Sequence, residues 1–201
     1  MRSIYKIVVC SLLTLSITSC EKDLLEKEQY QKEIYLIGAY NRVWTTEVSY
    51  SNEEVKTYFT VSSSGTLALD RDVNVKMKIN EELVDIYNKK YWTVLNEDKY
   101  YKSLDTDLYS IPSLENTVIK HAEGISAEVP VLIKTASLKI DQSYVIPVEI
   151  ESTTGYPISE SGYKMLILLK LKNDYSGSYQ MSGHTTLEGE TPKTIQKPKT
   201  I

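Results

Sequence analysis

The chain has 201 residues and a formal net charge of −4, from 23 lysines and arginines against 27 aspartates and glutamates. Because this acidic composition contains no basic patch, it argues against nucleic acid as a partner. Tyrosine occurs 16 times and phenylalanine once, a composition that suggests an extracellular β domain with a wet surface.

Residues 1–19 have the pattern of an export signal. Arg2 and Lys6 precede an apolar stretch over 7–17, which is shorter than the roughly 20 apolar residues that a membrane-spanning helix needs. A branched residue stands three positions before Cys20 and a small one directly before it, a pattern that resembles a bacterial lipobox. An ordinary secretory signal or a short buried helix would explain the apolar stretch but not the coincident cysteine. We therefore expect cleavage before Cys20 and lipidation of its thiol.

The cysteine count agrees with this interpretation. Cys10 lies within the predicted signal and Cys20 would carry the lipid, so the mature chain would hold no thiol for a disulfide. Each buried lipid methylene contributes about 0.8 kcal/mol, and two or more acyl chains attach a protein stably to a bilayer. The first expected partner is therefore a membrane, contacted through the lipid anchor.

A charged segment over 20–31 separates the anchor from the predicted fold. It lacks apolar periodicity, which favours a tether, although its content of Leu, Glu and Lys suits a short helix equally well. The predicted β domain covers 32–172. Its first strand segments are 33–39, 57–62 and 72–80, and the last of these alternates apolar and polar residues, which places one face in a core.

A short amphipathic helix is predicted directly after the third strand segment. Asn80 suits the N-cap position, two glutamates follow it and two lysines end the segment, which matches the helix dipole at both ends. Leu83, Ile86 and Tyr87 form the expected apolar stripe. This is the one helix that the pattern predicts within the β domain.

Four further strands are predicted over 117–120, 128–134, 144–151 and 163–172. Pro147 interrupts the third of these, and proline favours an edge strand or a bulge because it cannot donate to the ladder. Short strands at this spacing, with one helix, predict a mostly β fold, a sandwich of the Greek-key type.

Residues 173–201 differ from the predicted sandwich in composition. Glycine, threonine, lysine and proline dominate, and the alternating pattern is lost. We interpret the segment as a linker or as the incomplete start of a second domain, whose opening strand would lie over 175–179.

Three segments together carry a resemblance to a known family. They are 72–88, with the alternating strand and the helix; 91–112, with the pair Tyr100 and Tyr101; and 143–161, with the strand around Pro147. This arrangement resembles a domain family of undefined function found at the N-terminus of surface lipoproteins from gut Bacteroidetes. The resemblance extends over roughly residues 30–172.

The resemblance implies an immunoglobulin-like β-sandwich in a polysaccharide-utilisation system. It also implies an exported protein that is anchored to the outer membrane and exposed at the cell surface. Glu21 and Asp23 fit the acidic export signal of that group, although Lys22 interrupts it. In some relatives a following domain is an endo-β-N-acetylglucosaminidase, and in others it is a sandwich associated with glycans.

The sequence contains no recognisable catalytic or metal-binding motif. Glycoside hydrolysis needs two positioned carboxylates, and the pair Asp105 and Asp107 is better explained as a solvated turn. His121 and His184 are the two histidines and stand in no ligand-spaced motif. We therefore expect a protein that is not an enzyme and that needs neither a metal nor another cofactor.

Carbohydrate binding is the remaining candidate function. Sugars stack their C–H faces on aromatic rings and use their hydroxyls for hydrogen bonds, so Tyr and Trp suit such a site. The candidate ligand-binding residues are Trp44, Tyr91, Trp92, Tyr100 and Tyr101. Packing against the sandwich is the competing interpretation for all five.

Three functions follow from these observations. The first is a surface-anchored accessory module for glycan binding or scaffolding. The second is an N-terminal remnant of a lipoprotein glycoside hydrolase without its catalytic domain. The third is a structural or adhesive protein that assembles with other surface lipoproteins by edge-strand addition. The first is favoured because it uses the anchor, the β fold and the aromatic residues together.

Overall fold

The alternating segments form strands in the computed structural model, which describes residues 27–92, 94–173, 175–185 and 193–200. Within these ranges the one α-helix, α1, spans Glu82–Tyr91. The strands are β1 (Ile34–Leu36), β2 (Val43–Ser49), β3 (Glu54–Ser63), β4 (Val73–Ile79), β5 (Lys102–Ser103), β6 (Tyr109–Ser110), β7 (Thr117–Ile119), β8 (Ser126–Lys134), β9 (Tyr144–Thr153), β10 (Lys164–Lys172), β11 (Ser178–Thr185) and β12 (Lys193–Thr200).

Two facing sheets contain the first ten strands. One has the order β1-β3-β8-β6, and the other has the order β2-β10-β9-β4-β7 with β5 added beside β9. Neighbouring strands run antiparallel, except that β2 lies parallel to β10 and β5 lies parallel to β9. Because successive strands β1 to β4 alternate between the sheets, the chain crosses repeatedly over the core. The predicted mostly β, immunoglobulin-like sandwich with one short helix is confirmed.

The core lies between the sheets and consists of the inward residues of alternating strands. In β4, Val73, Val75 and Met77 are buried whereas the polar residues between them are exposed. Phe59 of β3 and Ile133 of β8 belong to the opposite sheet and to the same buried cluster. Burying a side chain of this size contributes about 1.5–3 kcal/mol. Packing of this kind therefore holds the two sheets together.

Helix α1 adds a third layer on the outer face of the second sheet. Leu83 and Val84 pack against Val145 of β9 and Leu166 of β10 in a small buried cluster. Side chains alternate across a strand, so Ile167, the neighbour of Leu166, points into the main core instead. Strand β10 thus uses one face for the core and the other for the helix.

The predicted helix is confirmed, but one residue of its apolar stripe is wrong. The N-cap position falls on Glu81, one residue later than predicted and without a side-chain cap, while Oδ1 of Asn80 accepts a hydrogen bond from the Glu82 backbone N–H at 3.2 Å. Leu83 and Tyr87 pack on the sheet as predicted, whereas Ile86 is 53% exposed. Val84 takes the expected place of Ile86. The helix rests on the sheet with residues 83, 84, 87 and 88, which lie together on one side of its axis.

Pro147 lies in a central strand, so the expectation of an edge strand is wrong. Strand β9 is flanked by β10 and β4. The residue opposite Pro147 in β10 is Leu166, whose N–H donates to the Arg42 carbonyl at 2.8 Å. On the other side β4 ends at Ile79, and the Asn80 N–H donates to the Pro147 carbonyl at 3.1 Å. The proline nitrogen therefore faces the end of a neighbouring strand, where the ladder stops.

The beginning of the described chain is held against the sandwich. Glu28 pairs with Lys32 and accepts a hydrogen bond from the Thr66 backbone N–H. The Lys32 ammonium, followed by the Thr66 N–H, lowers the pKa of the Glu28 carboxyl to about 2. The predicted signal and Cys20 lie outside the described residues. In the part of the chain that is described, no helix combines the length and the apolar character needed to cross a bilayer.

A β-hairpin follows the sandwich. Strands β11 and β12 pair antiparallel, with Ser178 opposite Thr200 and Thr185 opposite Lys193. The predicted opening strand over 175–179 thus overlaps the start of β11 by two residues. The interpretation of residues 173–201 as a linker or as the incomplete start of a second domain stays a prediction.

Candidate ligand groove beside helix α1

A buried amide fixes the segment that follows helix α1. Asn88 is 5% exposed, and its side chain makes two hydrogen bonds with the backbone of Tyr101. Its Nδ2 donates to the Tyr101 carbonyl at 2.8 Å, and its Oδ1 accepts from the Tyr101 N–H at 2.9 Å. Both ends of the buried amide are therefore satisfied. This clamp places Tyr101 directly beside the helix.

Three tyrosine rings form a row along the helix. Tyr87 and Tyr101 stack with their centroids 5.2 Å apart and their planes at 10°, and the Tyr91 centroid lies 4.5 Å from that of Tyr87. Tyr87 and Tyr91 are four residues apart, which brings their rings together on one helical face. Burial, followed by the neighbouring Tyr101, raises the pKa of Tyr87. The Tyr87 ring therefore stays neutral at physiological pH.

A groove of about 270 Å³ lies between helix α1, the turn before β2 and the loop before β10. The buried side chains of Leu83 and Leu166 lie at its base. Tyr40 and Tyr91 line it with rings that are 88% and 49% exposed. The half-buried Tyr87 lines the groove as well. The groove therefore combines an apolar base with accessible aromatic rings.

The charged residues that line the groove are mainly basic. Arg42, Lys90 and Lys164 lie around it, against one carboxylate, that of Glu160. Ser161 adds a hydroxyl. At neutral pH these four charged side chains give the groove a local charge of 3 − 1 = +2, whereas the whole chain carries −4. The groove is therefore positive on an acidic protein.

Arg42 has an unusual backbone conformation. Its φ is 63° and its ψ is −22°, and it is the one non-glycine residue of the described ranges with a positive φ. This region costs an L-amino acid roughly 1–2 kcal/mol, and glycine is its usual occupant. The Arg42 N–H donates to the Ala39 carbonyl at 2.8 Å and thereby closes the turn before β2. The turn keeps an arginine where glycine would be easier to accommodate.

The structure brings together two of the five aromatic residues that the sequence suggested as ligand contacts. Tyr91 lines the groove, and Tyr101 supports it from behind by stacking on Tyr87. Of the five, Tyr91 is the one among the described lining residues; Tyr101 contacts the groove only through Tyr87, and Trp44, Trp92 and Tyr100 lie elsewhere.

These three residues have separate surroundings. Trp44 packs closely on Gly38, since a Cβ atom added to that glycine would lie 2.5 Å from Cε3 of the indole. The Lys99 ammonium lies 5.7 Å from the Trp92 ring centroid. The indole N–H of Trp92 is buried and has no hydrogen-bond partner within the described ranges. Tyr100 is half-buried.

Sequence reasoning missed several groove residues. The spacing of Tyr87 and Tyr91 was an available signal, because residues four apart on a helix are neighbours. Arg42 and Lys164 had no such signal, since they belong to distant segments of the chain. They meet because β2 and β10 run parallel, with Val43 opposite Leu166.

Outside the groove, Nδ1 of His121 lies 2.6 Å from Oδ1 of Asp72 at the exposed surface, and two further carboxylates stand at a turn. Asp105 accepts a hydrogen bond from the Asp107 N–H at 3.3 Å at the start of a 3₁₀ turn, and both side chains are exposed. The predicted solvated turn is confirmed. No group of three or more His, Cys, Asp or Glu residues in the described ranges is placed to hold a metal ion.

The fold and the groove define an immunoglobulin-like sandwich module with an aromatic, positively charged groove. A family model described as an N-terminal domain matches residues 30–157, and a second one, described as C-terminal, matches residues 163–201. The first match covers more than half of the chain, so the chain belongs to that N-terminal domain family. No curated protein matches it.

Solved structures from Bacteroides share this fold, which confirms the resemblance seen in the sequence. A Bacteroides ovatus protein of unknown function has a TM-score of 0.59 at 20% identity, over 85% of this chain and 57% of that one. A candidate carbohydrate-binding protein from Bacteroides ovatus has a TM-score of 0.52 at 17% identity, over 79% and 43%. EndoBT-3987 of Bacteroides thetaiotamicron, in complex with a Man5GlcNAc product, has a TM-score of 0.50 at 20% identity, over 69% and 30%. The chain thus spans little more than half of the first of these proteins and less of the others.

Proposed function

We propose that this chain is a non-catalytic accessory module that binds a glycan in the groove beside helix α1. A lipidated Cys20 would hold it at the outer membrane, exposed at the cell surface. The observation that carries the binding proposal is the combination of exposed tyrosine rings and hydrogen-bonding side chains around one groove. The proposed setting is the capture or scaffolding of a polysaccharide before its use.

The groove suits the two faces of a sugar. The C–H face of a pyranose ring stacks on an aromatic ring, for which Tyr40 and Tyr91 offer exposed surfaces. The hydroxyls need donors and acceptors, and Arg42, Glu160 and Ser161 supply both. Ligand pockets usually range from about 300 to 1,000 Å³, so a groove of about 270 Å³ lies just below that range and suits a small ligand, roughly one sugar ring.

The solved neighbours support the same class of function. One of them is described as a candidate carbohydrate-binding protein, and another is an enzyme in complex with a glycan product. At this low sequence identity the likeness indicates a shared fold only, and the binding function of this chain is therefore our proposal. It is consistent with both descriptions.

The lining of the groove favours binding over hydrolysis. Glycoside hydrolases use two carboxyl groups that flank the scissile bond. Among the described residues that line this groove, Glu160 is the single carboxylate. A module of this kind would hold a glycan without cleaving it.

Binding is tested with the purified chain on an array of oligosaccharides, followed by titration of the best binder. The substitution Tyr91→Ala should weaken that binding about tenfold, since a stacked aromatic pair contributes about 0.5–1.5 kcal/mol beyond its buried area. Tyr58→Ala is the matched control, because Tyr58 is 43% exposed on β3 in the opposite sheet. An array without a single binder, or equal losses from both substitutions, would refute the proposal.

The anchor is tested separately by cell fractionation. The chain should be recovered in washed membranes, and Cys20→Ala should release it to the soluble fraction because the acyl chains are lost. Cys10→Ala is the control, since that cysteine lies within the predicted signal. A Cys20→Ala chain that stays entirely in the membranes would contradict the lipoprotein proposal.

A second candidate function is that of a binding module that serves a glycosidase. It is favoured by the likeness to EndoBT-3987, which shares the fold over 69% of this chain while only 30% of the enzyme is covered. Reading the genomic frame beyond codon 201 tests it. A continuing frame that encodes a pair of hydrolase carboxylates would establish this candidate, and a stop codon would remove it.

A further inference from the structure

We infer that the groove is selective for an anionic saccharide, that is, a sugar bearing a carboxylate or a sulfate. This inference rests on the proposed glycan binding and names the class of ligand for the same groove. Three cationic side chains from separate segments of the chain carry it.

The three groove cations have no anionic partner among the described residues; single lysines elsewhere, such as Lys56, share this state, but here it occurs three times around one groove. Lys76 pairs with Glu151 at 2.7 Å, an arrangement that several other lysines repeat. Arg42, Lys90 and Lys164 form no salt bridge with any described residue, although Glu160 lines the same groove. Three unpaired cations against one carboxylate leave a site that an anion would complement.

The contrast is sharpest between the two arginines of the described chain. Arg71 binds the Asp70 carboxylate through Nε and Nη2, both at 2.9 Å. Arg42 has no described carboxylate to bind, and its backbone occupies a left-handed conformation that would favour glycine. A guanidinium presents a planar pair of donors that matches a carboxylate or a sulfate. The Arg42 side chain is therefore better explained by binding of a ligand than by stabilisation of the fold.

One of the three cations lies beside the ring that would stack on the sugar. The Lys90 ammonium is 5.2 Å from the centroid of the Tyr91 ring, so a sugar stacked on that ring would bring a charged substituent near the ammonium. The apolar base at Leu83 and Leu166 keeps part of the groove away from water, and charge pairs gain strength where the effective dielectric constant is low. Ring stacking and charge pairing would thus reinforce each other.

The test compares charged and neutral forms of one ligand. The purified chain is screened on an array of neutral, uronate-bearing and sulfated oligosaccharides at low salt. The tightest anionic binder is then titrated beside its methyl-esterified or desulfated counterpart. We expect the neutral counterpart to bind at least about tenfold more weakly, because hydrogen bonds to charged groups contribute about 1.5–3 kcal/mol. Preference for uronate-bearing or for sulfated members distinguishes the two possible anions.

The variant Arg42→Gly separates recognition from folding. Glycine adopts a φ of 63° without strain, so the melting temperature should stay the same or rise. Affinity for the charged ligand should fall about tenfold, clearly more than affinity for its neutral counterpart, which loses a hydrogen bond from the guanidinium to a hydroxyl and no charge pair. Lys56→Gln is the matched control, because it removes the same single charge from β3 in the opposite sheet. It should leave both affinities unchanged.

The outcomes separate this inference from the proposed function. Equal affinity for charged and neutral forms, or an Arg42→Gly chain that binds the charged form normally, would overturn anion selectivity while glycan binding stands. An array without any binder would overturn both. Equal losses in Arg42→Gly and Lys56→Gln would show general charge attraction and would also overturn the inference.

Discussion

The two faces of strand β10 show how one segment serves stability and binding at once. Its inward residues Met165, Ile167 and Leu169 are buried in the main core between the sheets. Its outward residues Lys164 and Leu166 line the groove beside helix α1, to which the largely buried Met165 also contributes. The inward face needs volume and apolarity, and volume-conserving exchanges there are usually tolerated. The outward face needs particular charges and rings, so the two faces should respond differently to substitution.

The largest effect is expected in the core. Phe59→Ala removes a side chain that is 2% exposed, and it should lower the free energy of unfolding by about 3–5 kcal/mol because it leaves a cavity. Urea unfolding followed by fluorescence measures this change. A decrease in the free energy of unfolding below about 1 kcal/mol would show that the core between the sheets is not tightly packed around Phe59.

A matched pair on helix α1 tests the boundary between the faces. Leu83 is 8% exposed in the buried cluster under the helix, whereas Ile86 is 53% exposed. We expect Leu83→Ala to lower the free energy of unfolding by about 3 kcal/mol and Ile86→Ala to change it by less than about 0.5 kcal/mol. Similar losses for the two variants in urea unfolding would mean that the helix is rotated relative to the sheet.

The Asn88 clamp should have an intermediate effect. Asn88→Ala leaves the Tyr101 N–H and carbonyl without their partners, which should cost about 2 kcal/mol in the free energy of unfolding. The stack of Tyr101 on Tyr87 should loosen as well, and near-ultraviolet circular dichroism reports that change. Asn74→Ala, at an exposed position of β4, is the control and should leave the dichroism of the stack intact.

A smaller change of opposite sign is expected at Tyr109. The Tyr109 hydroxyl is buried at the sandwich and has no hydrogen-bond partner among the described residues. Tyr109→Phe removes this unsatisfied group while keeping the ring, so the free energy of unfolding should rise by about 1 kcal/mol. Thermal and urea unfolding at neutral pH measure the rise. A loss of stability would show that the hydroxyl has a partner, such as a bound water.

The same substitution alters the response to alkali. Burial, followed by the charge of Glu81, raises the pKa of Tyr109 to about 12, whereas an unfolded tyrosine titrates near 10. The folded state therefore holds the proton more tightly, and stability that is fully present below about pH 10 is lost as the pH rises toward about 12. Tyr109→Phe should make that decline shallower in unfolding experiments from pH 9 to 11. Part of the decline should remain in this variant, because burial also raises the pKa of Tyr87.

The elements most easily predicted from the sequence were those with one buried face. Strand β4 alternates buried and exposed residues along its length, and its period-2 pattern was visible in the sequence. Strand β2 was missed because it is largely exposed and shows no such alternation. The two-residue strands β5 and β6 are too short to carry a period.

The wrong predictions have one cause: the sequence of a single strand or helix does not show which other elements lie next to it in space. Ile86 matched the helical spacing, yet the helix rests on the sheet through Val84 instead. Pro147 predicted an edge strand or a bulge, and the edge alternative is wrong because the strand lies in the centre of its sheet, where β4 ends beside the proline. Each outcome depended on where another element begins or ends.

By itself the sequence determined the strands with one buried face, the helix and the class of fold, because hydrophobic periodicity records which side of an element avoids water. It also contained the pattern from which we propose the anchor. Only the tertiary structure decided the groove, since the parallel pairing of β2 with β10 brings Arg42 to Lys164 and the helix lays Tyr91 beside them. Side chains from distant segments can share a ligand only after the core has fixed the distances between their backbones.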